Sequence, residues 1–393
     1  MDVGKLKDEV CEAVDARAGE LLRLSRAIHA NPELAFEERE AAALLVGALR
    51  DSGLEVEAGA FGLETAFASE FGPRGGPCVA VLAEYDALPD MGHACGHNLI
   101  AAAGVGAGLA LASLGSALPG RVRVLGTPAE EHGGGKELMA RRGALDGVDA
   151  AMMMHPSSVN LVNMPSLCIA EVEARYRGRA AHASAMPDRG INALDALVIA
   201  YQGIAALRQH IRPSERLHGI ISDGGQAPNV VPERAVGHFY VRAASAGDLE
   251  ALKRRVEGCF EAGARATGAE LALHWGEVDY LDIRFNAALA ESFRVNAEKL
   301  GREFFPIDKL PSNTAGSTDM GNVSHRVPSI HPMLAASPLH CTIHNPEFAE
   351  WAGSEMGDAA ALDGAKALAM TALDYLCDAD LRERARALFE AAA

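Results

Sequence analysis

The stretch Cys78-Val-Ala-Val-Leu-Ala83-Glu-Tyr-Asp86-Ala-Leu-Pro-Asp-Met-Gly92-His-Ala-Cys95-Gly-His97-Asn98 decides how this chain reads. Its first six residues form a short apolar run with the character of a buried strand. Chemistry-bearing residues follow at once, and then Leu99 to Leu118 runs without a charge. That segment is long enough to span a bilayer, but it is mostly Ala and Gly. Such weak hydropathy favours a buried helix over a membrane span. The strand-then-helix step recurs. Arg121–Gly126 reads as a second strand, Lys136 to Arg142 as a short helix, and Ala150–Met154 as a third strand. Strands alternating with helices imply right-handed crossovers and a largely parallel sheet.

Upstream, Val3, Leu6, Val10, Val14, Leu21, Leu24 and Ile28 recur at helical spacing and predict one long amphipathic helix that stops at Asn31-Pro32. A second helix is expected from Glu37 to Arg50. Downstream the pattern changes near residue 168. Ile169 to Tyr176 alternates apolar and polar side chains, as a half-solvated strand does. Helix 191–211, strands 217–222 and 235–243, helix 248–267 and strand 270–275 complete the order β-α-β-β-α-β of a ferredoxin-like unit. From about Phe285 helix and loop return, and the last helix is expected from Ala359 to about Leu376, before an Ala-rich tail. The expected fold is therefore α/β. A mostly parallel sheet with flanking helices is formed by residues 1–167 and 286–393, and a ferredoxin-like α+β domain is inserted at residues 168–285.

Thirty-six basic residues against 53 acidic ones leave the 393-residue chain at −17. That balance argues against broad nucleic-acid binding and against docking on anionic lipid. The seven cysteines are odd in number and scattered, with no C-x-x-C, so a reducing, cytoplasmic setting is expected. The first twenty residues are charged throughout and lack a signal-peptide apolar core.

In open α/β sheets, ligands bind beyond the carboxyl ends of the strands. Here the three expected strand ends deliver Asp86 with the His93–His97 loop, then Glu130-Glu131, then His155. Cys95 and His97 lie two apart on a glycine-bearing loop. Thiolate and imidazole suit zinc, and added carboxylate extends the choice to manganese or cobalt. Alone, Cys95 would read as a buried free cysteine, Glu130-Glu131 as a solvated pair, and His155 as a core or capping histidine. Their shared place at strand ends favours a metal centre. Neighbouring loop carboxylates can point differently, one at a metal and one serving as general base toward a metal-activated water. Gly133 to Gly135 suggest close backbone packing beside that pair. Asp86 could orient a ligand imidazole. His344 sits in a turn and reads equally as a surface residue or a ligand. Competing motifs fail: His132-Gly-Gly-Gly135 has no G-x-S-x-G serine to serve, Gly135-Lys136 is not a P-loop, and the zinc-deaminase C-x-x-C is missing.

With these residues in hand, the chain resembles the aminoacylase/carboxypeptidase family of metallopeptidases. The resemblance runs from His29-Ala-Asn-Pro-Glu-Leu34 to the last helix. It rests on Ala83–Pro89, Gly92–His97, Thr127-Pro-Ala-Glu-Glu131, His155-Pro156, Ala180-Ala-His-Ala-Ser184 and Ile343–Phe348. It implies two divalent ions in each copy of the chain, zinc or manganese with cobalt as a further candidate, held by Cys95, His97, Glu131, His155 and His344. It implies Glu130 as general base. His182 would reach into a second copy's site to stabilise the oxyanion, in a homodimer built through the inserted domain. Asn98 stands where related auxin-conjugate hydrolases usually carry Asp. With Ser317–Val323, Leu217-His-Gly219 and Pro228-Asn-Val-Val-Pro232, it is similar to the branch of p-aminobenzoyl-glutamate hydrolases and β-alanyl-lysine dipeptidases. That likeness implies His218 and Asn229 near the substrate, while strand-end and turn chemistry explains them equally well. No arginine is singled out to hold a substrate carboxylate, although Arg242 is one candidate. The expected function is hydrolysis of an amide in an N-acyl or N-aminoacyl amino acid. A binding protein that kept the fold without catalysis is the alternative.

Overall fold

A computed structural model describes residues 2–306, 309 and 316–392. The chain divides into two compact units. One is formed by the chain up to Pro165 and from Ile283 onward, the other by Ser166–Asp282.

The first unit begins with helices α1 (Val3–Ala16), α2 (Ala18–Ala30) and α3 (Arg39–Asp51). Strands β1 (Glu57–Ala58), β2 (Phe67–Phe71) and β3 (Cys78–Ala83) follow, then α4 (His97–Ala112), β4 (Arg121–Gly126), α5 (Gly135–Arg141), β5 (Ala150–Met152) and β6 (His155–Ser157). The second unit contains β7 (Cys168–Arg177), α6 (Ala193–Leu207), β8 (Arg216–Asp223), β9 (Arg234–Ala243), α7 (Ala246–Thr267) and β10 (Glu270–Trp275). The chain returns to the first unit through α8 (Ala287–Lys299), α9 (Met320–Ser324), β11 (Ser329–Ile330), β12 (Met333–Ala335), α10 (Pro346–Ala352), α11 (Glu355–Cys377) and α12 (Ala379–Ala391).

The main sheet has the order β1-β2-β4-β3-β5-β11. Its β4-β3-β5-β11 part is parallel, whereas β1 and β2 are antiparallel additions at one edge, so the sheet is mixed. The sequence reading anticipated β3, β4 and β5 but neither the two-residue β11 nor β2, whose alternating burial marks a strand with one covered face. Two helix expectations are corrected. The single N-terminal helix is broken at Arg17 (φ −98°, ψ 3°), and α1 and α2 cover α4 and α11 as separate rods that preserve the apolar stripe. The helix expected to be the last, here α11, is followed by a further helix. Asp378 caps α12, which buries Leu381 and Ala385.

The Ala/Gly segment forms α4, the central helix of this unit. A Cβ at Gly104 would lie 2.6 Å from the Leu82 carbonyl oxygen, one at Gly108 2.4 Å from Val124 Cγ2, and one at Gly106 2.8 Å from Leu21 Cδ1. Small residues thus let the sheet on one side and α2 on another approach the helix backbone. No described helix is long and apolar enough to cross a membrane.

The second unit is a four-stranded antiparallel sheet of order β10-β7-β9-β8. Helices α6 and α7 pack on it around Val172, Leu197, Val256 and Phe260.

Because the Gly104 contact is with backbone, a bulkier side chain cannot be accommodated by rotamer change alone. Gly104→Val is expected to destabilise the protein by about 1–3 kcal/mol. Denaturant unfolding would show this as a lower midpoint at unchanged slope.

Candidate metal centre

The sheet places its chemistry at the carboxyl ends of β3 and β4 and in the segment that follows β5. Glu84, Tyr85 and Asp86 leave β3 directly, and the loop back to α4 carries Cys95 and His97. Gly96 makes the last step of that loop at φ 73°, where an added Cβ would lie 2.6 Å from Pro156 Cγ. After β4 the chain turns sharply at Ala129 (φ 59°), whose N–H donates to Glu38 Oε1 at 2.8 Å. Gly133 and Gly135 let the turn fold on itself, since a Cβ at Gly135 would lie 1.9 Å from the Pro128 carbonyl oxygen. Close backbone packing beside the glutamate pair is therefore observed. His155 does not end β5, as the sequence reading had it. The third strand stops at Met152, and His155 opens the separate β6, paired with β12. His344 sits at φ 61°, and its N–H donates to the Ala94 carbonyl at 2.8 Å.

These segments bring together Cys95, His97, Glu130, Glu131, His155 and His344. Cys95 Sγ lies 3.4 Å from His155 Nε2, and His344 Nε2 lies 3.4 Å from Glu131 Oε1. His97 Nδ1 is 3.0 Å from Asp86 Oδ1, the contact that orients its ring, and Asp86 Oδ2 also accepts the Glu131 N–H at 2.9 Å. Among the described residues, three sets have ligand atoms within 4.8 Å of one another: Cys95/His97/His155, Cys95/Glu131/His344 and Glu84/His97/Glu130. Inside this cluster Glu84 Oε1, His97 Nε2 and Glu131 Oε1 are buried without hydrogen-bond partners. Buried polar atoms are normally satisfied, and a soft-to-borderline donor set left open in this way fits divalent cations. The cluster borders a cavity of about 390 Å³ that reaches Ser157, Met164 and Ile343.

The sequence profile of peptidase family M20/M25/M40 matches residues 80–373. The chain belongs to this family. It is 42% identical over 403 residues to the Xaa-Arg dipeptidase of Mus musculus, covering 98% of this chain and 92% of that one. It is also 34% identical to a component of the p-aminobenzoyl-glutamate hydrolase of Escherichia coli, over 65% of this chain and 57% of the other. Among solved structures, a dinuclear metal binding peptidase of the M20 family from Bacillus subtilis superimposes with a TM-score of 0.70 at 22% identity, covering 92% of this chain and 99% of that one. The family resemblance read from the motifs is thereby borne out, and the last match shows the shared fold.

Within this M20 chain, the structure adds groups that the sequence reading missed. Glu84 is fully buried and, with Asp319, holds Lys136. Lys136 Nζ donates to Glu84 Oε2 and, at 2.7 Å, to Asp319 Oδ1. His331, at the end of β11, meets His155 edge-on at 5.3 Å, with both ring nitrogens buried and unpartnered. A two-residue strand leaves no periodic signal, so its histidine could not be recognised as a strand-end residue. Conversely, His93, on the same loop as Cys95 and His97, does not join the cluster. Its Nε2 faces the Ile28 carbonyl at 3.1 Å, and its ring stacks on His29. Asn98 also points elsewhere, donating from Nδ2 to Ser25 Oγ at 2.9 Å and to the Ala352 carbonyl at 3.0 Å. It ties α4 to α2 and α10.

The remaining expected residues lie in the second unit. His182 and Val230 form an antiparallel bridge, and Asn229 contributes its carbonyl to the Ala183 N–H at 3.0 Å, so His182 and Asn229 are neighbours. His182 Nδ1 accepts the Ala185 N–H at 3.2 Å. His218 stands on β8 with its ring edge-on to Tyr240, and burial with Arg242 and Arg208 pushes its pKa down.

Electrostatics in the cluster follow from carboxylates in low dielectric. Burial, then Glu84 and Glu131, push Glu130 well above the carboxylate range. Burial also pushes Glu131 upward, but the neighbouring His344 and His97 imidazoles outweigh it and hold Glu131 low. Burial and Glu131 drive the Cys95 thiol up. Burial works against charge on His97, yet Glu84, Cys95 and Asp86 prevail and raise it well above its ordinary value. Burial lowers His155 to about 4. The surroundings thus favour the protonated forms of Cys95 and His97, and a cation that takes these atoms as ligands competes with protons. Loading with zinc or manganese is expected to release protons, and affinity is expected to weaken as pH falls. Calorimetric titration in buffers of different ionisation enthalpy checks both.

Proposed function

We propose that this chain is a metal-dependent amidohydrolase that cleaves the amide bond of an N-acyl or N-aminoacyl amino acid. Cys95, His97, Glu131, His155 and His344 hold two divalent ions, zinc or manganese, with cobalt as a substitute. The observation that carries this reading is that Cys95, Glu131, His155 and His344 line one cavity with His97 beside them, while His97 Nε2 and Glu131 Oε1 are buried without partners. The ions, when bound, polarise the scissile carbonyl and acidify water.

Glu130 acts as general base. It takes a proton from the attacking water on a carboxylate oxygen while the water oxygen bonds to the carbonyl carbon. It returns that proton to the leaving nitrogen as the C–N bond breaks, leaving a carboxylic acid and an amine. A carboxyl raised by burial and by Glu84 can carry a proton between these steps, which an exposed carboxylate does poorly. Asp86 keeps His97 in orientation through Nδ1. The binding-protein alternative would be signalled by loss of a ligand or of the glutamate pair, and the chain retains both.

The mouse relative carries the name Xaa-Arg dipeptidase, which favours a dipeptide substrate over p-aminobenzoyl-glutamate. The second unit is read as the inserted domain through which two copies pair. Its β8 forms a sheet edge with Ile220 and Ile221 exposed, a strand edge suited to pairing. His182 then stabilises the oxyanion in the site of a second copy, with His218 and Asn229 near the substrate. The scattered cysteines favour a cytoplasmic setting.

A panel of dipeptides, N-acyl amino acids and p-aminobenzoyl-glutamate tests the reading. Chelation is expected to abolish hydrolysis and reloading to restore it. Glu130→Gln should lower kcat by about 10²–10⁴-fold with metal content unchanged. A Glu130→Gln protein with full metal and full activity would refute the base assignment. His182→Ala should lower kcat by about 10²–10³-fold without loss of metal. A wild-type monomer in sedimentation, with activity independent of protein concentration, would exclude the composite site.

A further inference from the structure

The cluster contains a carboxylate that the ligand set above does not use. Glu84 follows the last residue of β3, is fully buried, and divides its two oxygens between different surroundings. Oε2 accepts from Lys136 Nζ. Oε1 has no hydrogen-bond partner and lies 3.2 Å from His97 Nε2, which has none either.

Lys136 does not require Glu84 for neutrality. Asp319 already grips it at two points, with Oδ1 on Nζ at 2.7 Å and Oδ2 on the Lys136 backbone N–H at 2.9 Å. One carboxylate thus balances one ammonium, and the charge on Glu84 is surplus within the triad. The surplus faces the metal cluster. His97 donates through Nδ1 to Asp86, so the nitrogen left for a metal ion is Nε2, and it faces Glu84 Oε1. Once Nε2 serves as a ligand it carries no proton, and its lone pair and that of Glu84 Oε1 then repel one another unless a cation is shared between them. Glu130 supplies a third donor to the same place, within 4.8 Å of both.

We propose that Glu84 is a further member of the metal centre, facing the ions through Oε1 while Lys136 and Asp319 lock its other oxygen in place. The inference rests on the metal-dependent reading above and extends it to a residue outside the five-ligand set. Lys136 serves as a fixed internal cation. It presets the carboxylate's direction before an ion arrives, so that little side-chain freedom remains to be lost on binding.

The test is ion binding by the full-length protein, with activity as a secondary readout. Wild type, Glu84→Gln, Glu84→Asp and the double variant Glu84→Gln/Lys136→Met are compared for bound manganese or zinc by mass spectrometry after desalting. Affinity is measured by competition with a chelating dye, and folding by circular dichroism. Glu84→Gln is expected to lose one equivalent or to bind about 10–100-fold more weakly. The double variant, which removes both charges of the pair, is expected to fold yet stay equally weak. Glu84→Asp keeps Lys136 neutralised while withdrawing the carboxylate, so it too should fold and bind weakly. Wild-type stoichiometry and affinity in Glu84→Gln or in Glu84→Asp would overturn the proposal. So would their recovery in the double variant, because Glu84 would then be a counter-ion to Lys136 alone. A wild-type protein that takes up no ion would instead overturn the metal-dependent reading itself.

Discussion

Five carboxylates, Glu84, Asp86, Glu130, Glu131 and Asp319, are gathered at one end of a closely packed sheet, and Lys136 is the ammonium set among them. Ionised carboxylates taken out of water cost several kcal/mol each unless opposite charge is supplied. Lys136 offsets one of them, and His97 can offset another only by keeping a proton that its role as ligand would forbid. Divalent ions would resolve the conflict, because they would bring positive charge while accepting the lone pairs of Cys95, His97 and His155. The unpartnered oxygens and nitrogens of the cluster and its displaced pKa values express the same demand.

The scaffold meets that demand by fixing directions. Parallel strands end side by side, so residues that leave β3, β4 and β5 arrive at a common rim. Tight backbone turns then aim the side chains: glycine at 96, 133 and 135 allows contacts that a Cβ would forbid, and Ala129 is held at positive φ by the buried carboxyl of Glu38. Ala129's conformation directs the adjacent Glu130 and Glu131 differently, with Glu131 toward His344 and Glu130 toward the His97–Glu84 side. The small residues of α4 bring the helix that begins with His97 close to the sheet, so that the loop carrying Cys95 cannot drift away from β6 and His155.

Much of this was legible along the chain. Strand and helix alternation around residues 78–154 predicted parallel strands, and histidine, cysteine and glutamate at expected strand ends pointed to the residues that the structure brings together. Errors arose where a local pattern was ambiguous or too short. The apolar stripe from Val3 to Ile28 is equally consistent with one helix or two, and the break at Arg17 is settled by packing against α4 and α11. His93 shares a loop with two ligand candidates, but its ring is claimed by the Ile28 carbonyl, a partner distant in sequence. His331 follows a strand too short to announce itself.

By itself, the sequence determined the α/β class, the family to which the chain belongs, and the donor types that gather at the strand ends. These are properties of short segments, set by hydrophobic period, glycine placement and side-chain chemistry. Only the tertiary structure decided which donors share a space and which are engaged elsewhere. It turned Asn98 and His93 away and joined Lys136 to Asp319, 183 positions later in the chain. It also left one oxygen of Glu84 facing His97 without a partner. Contacts between distant segments depend on how the layers pack, and no local pattern encodes that geometry.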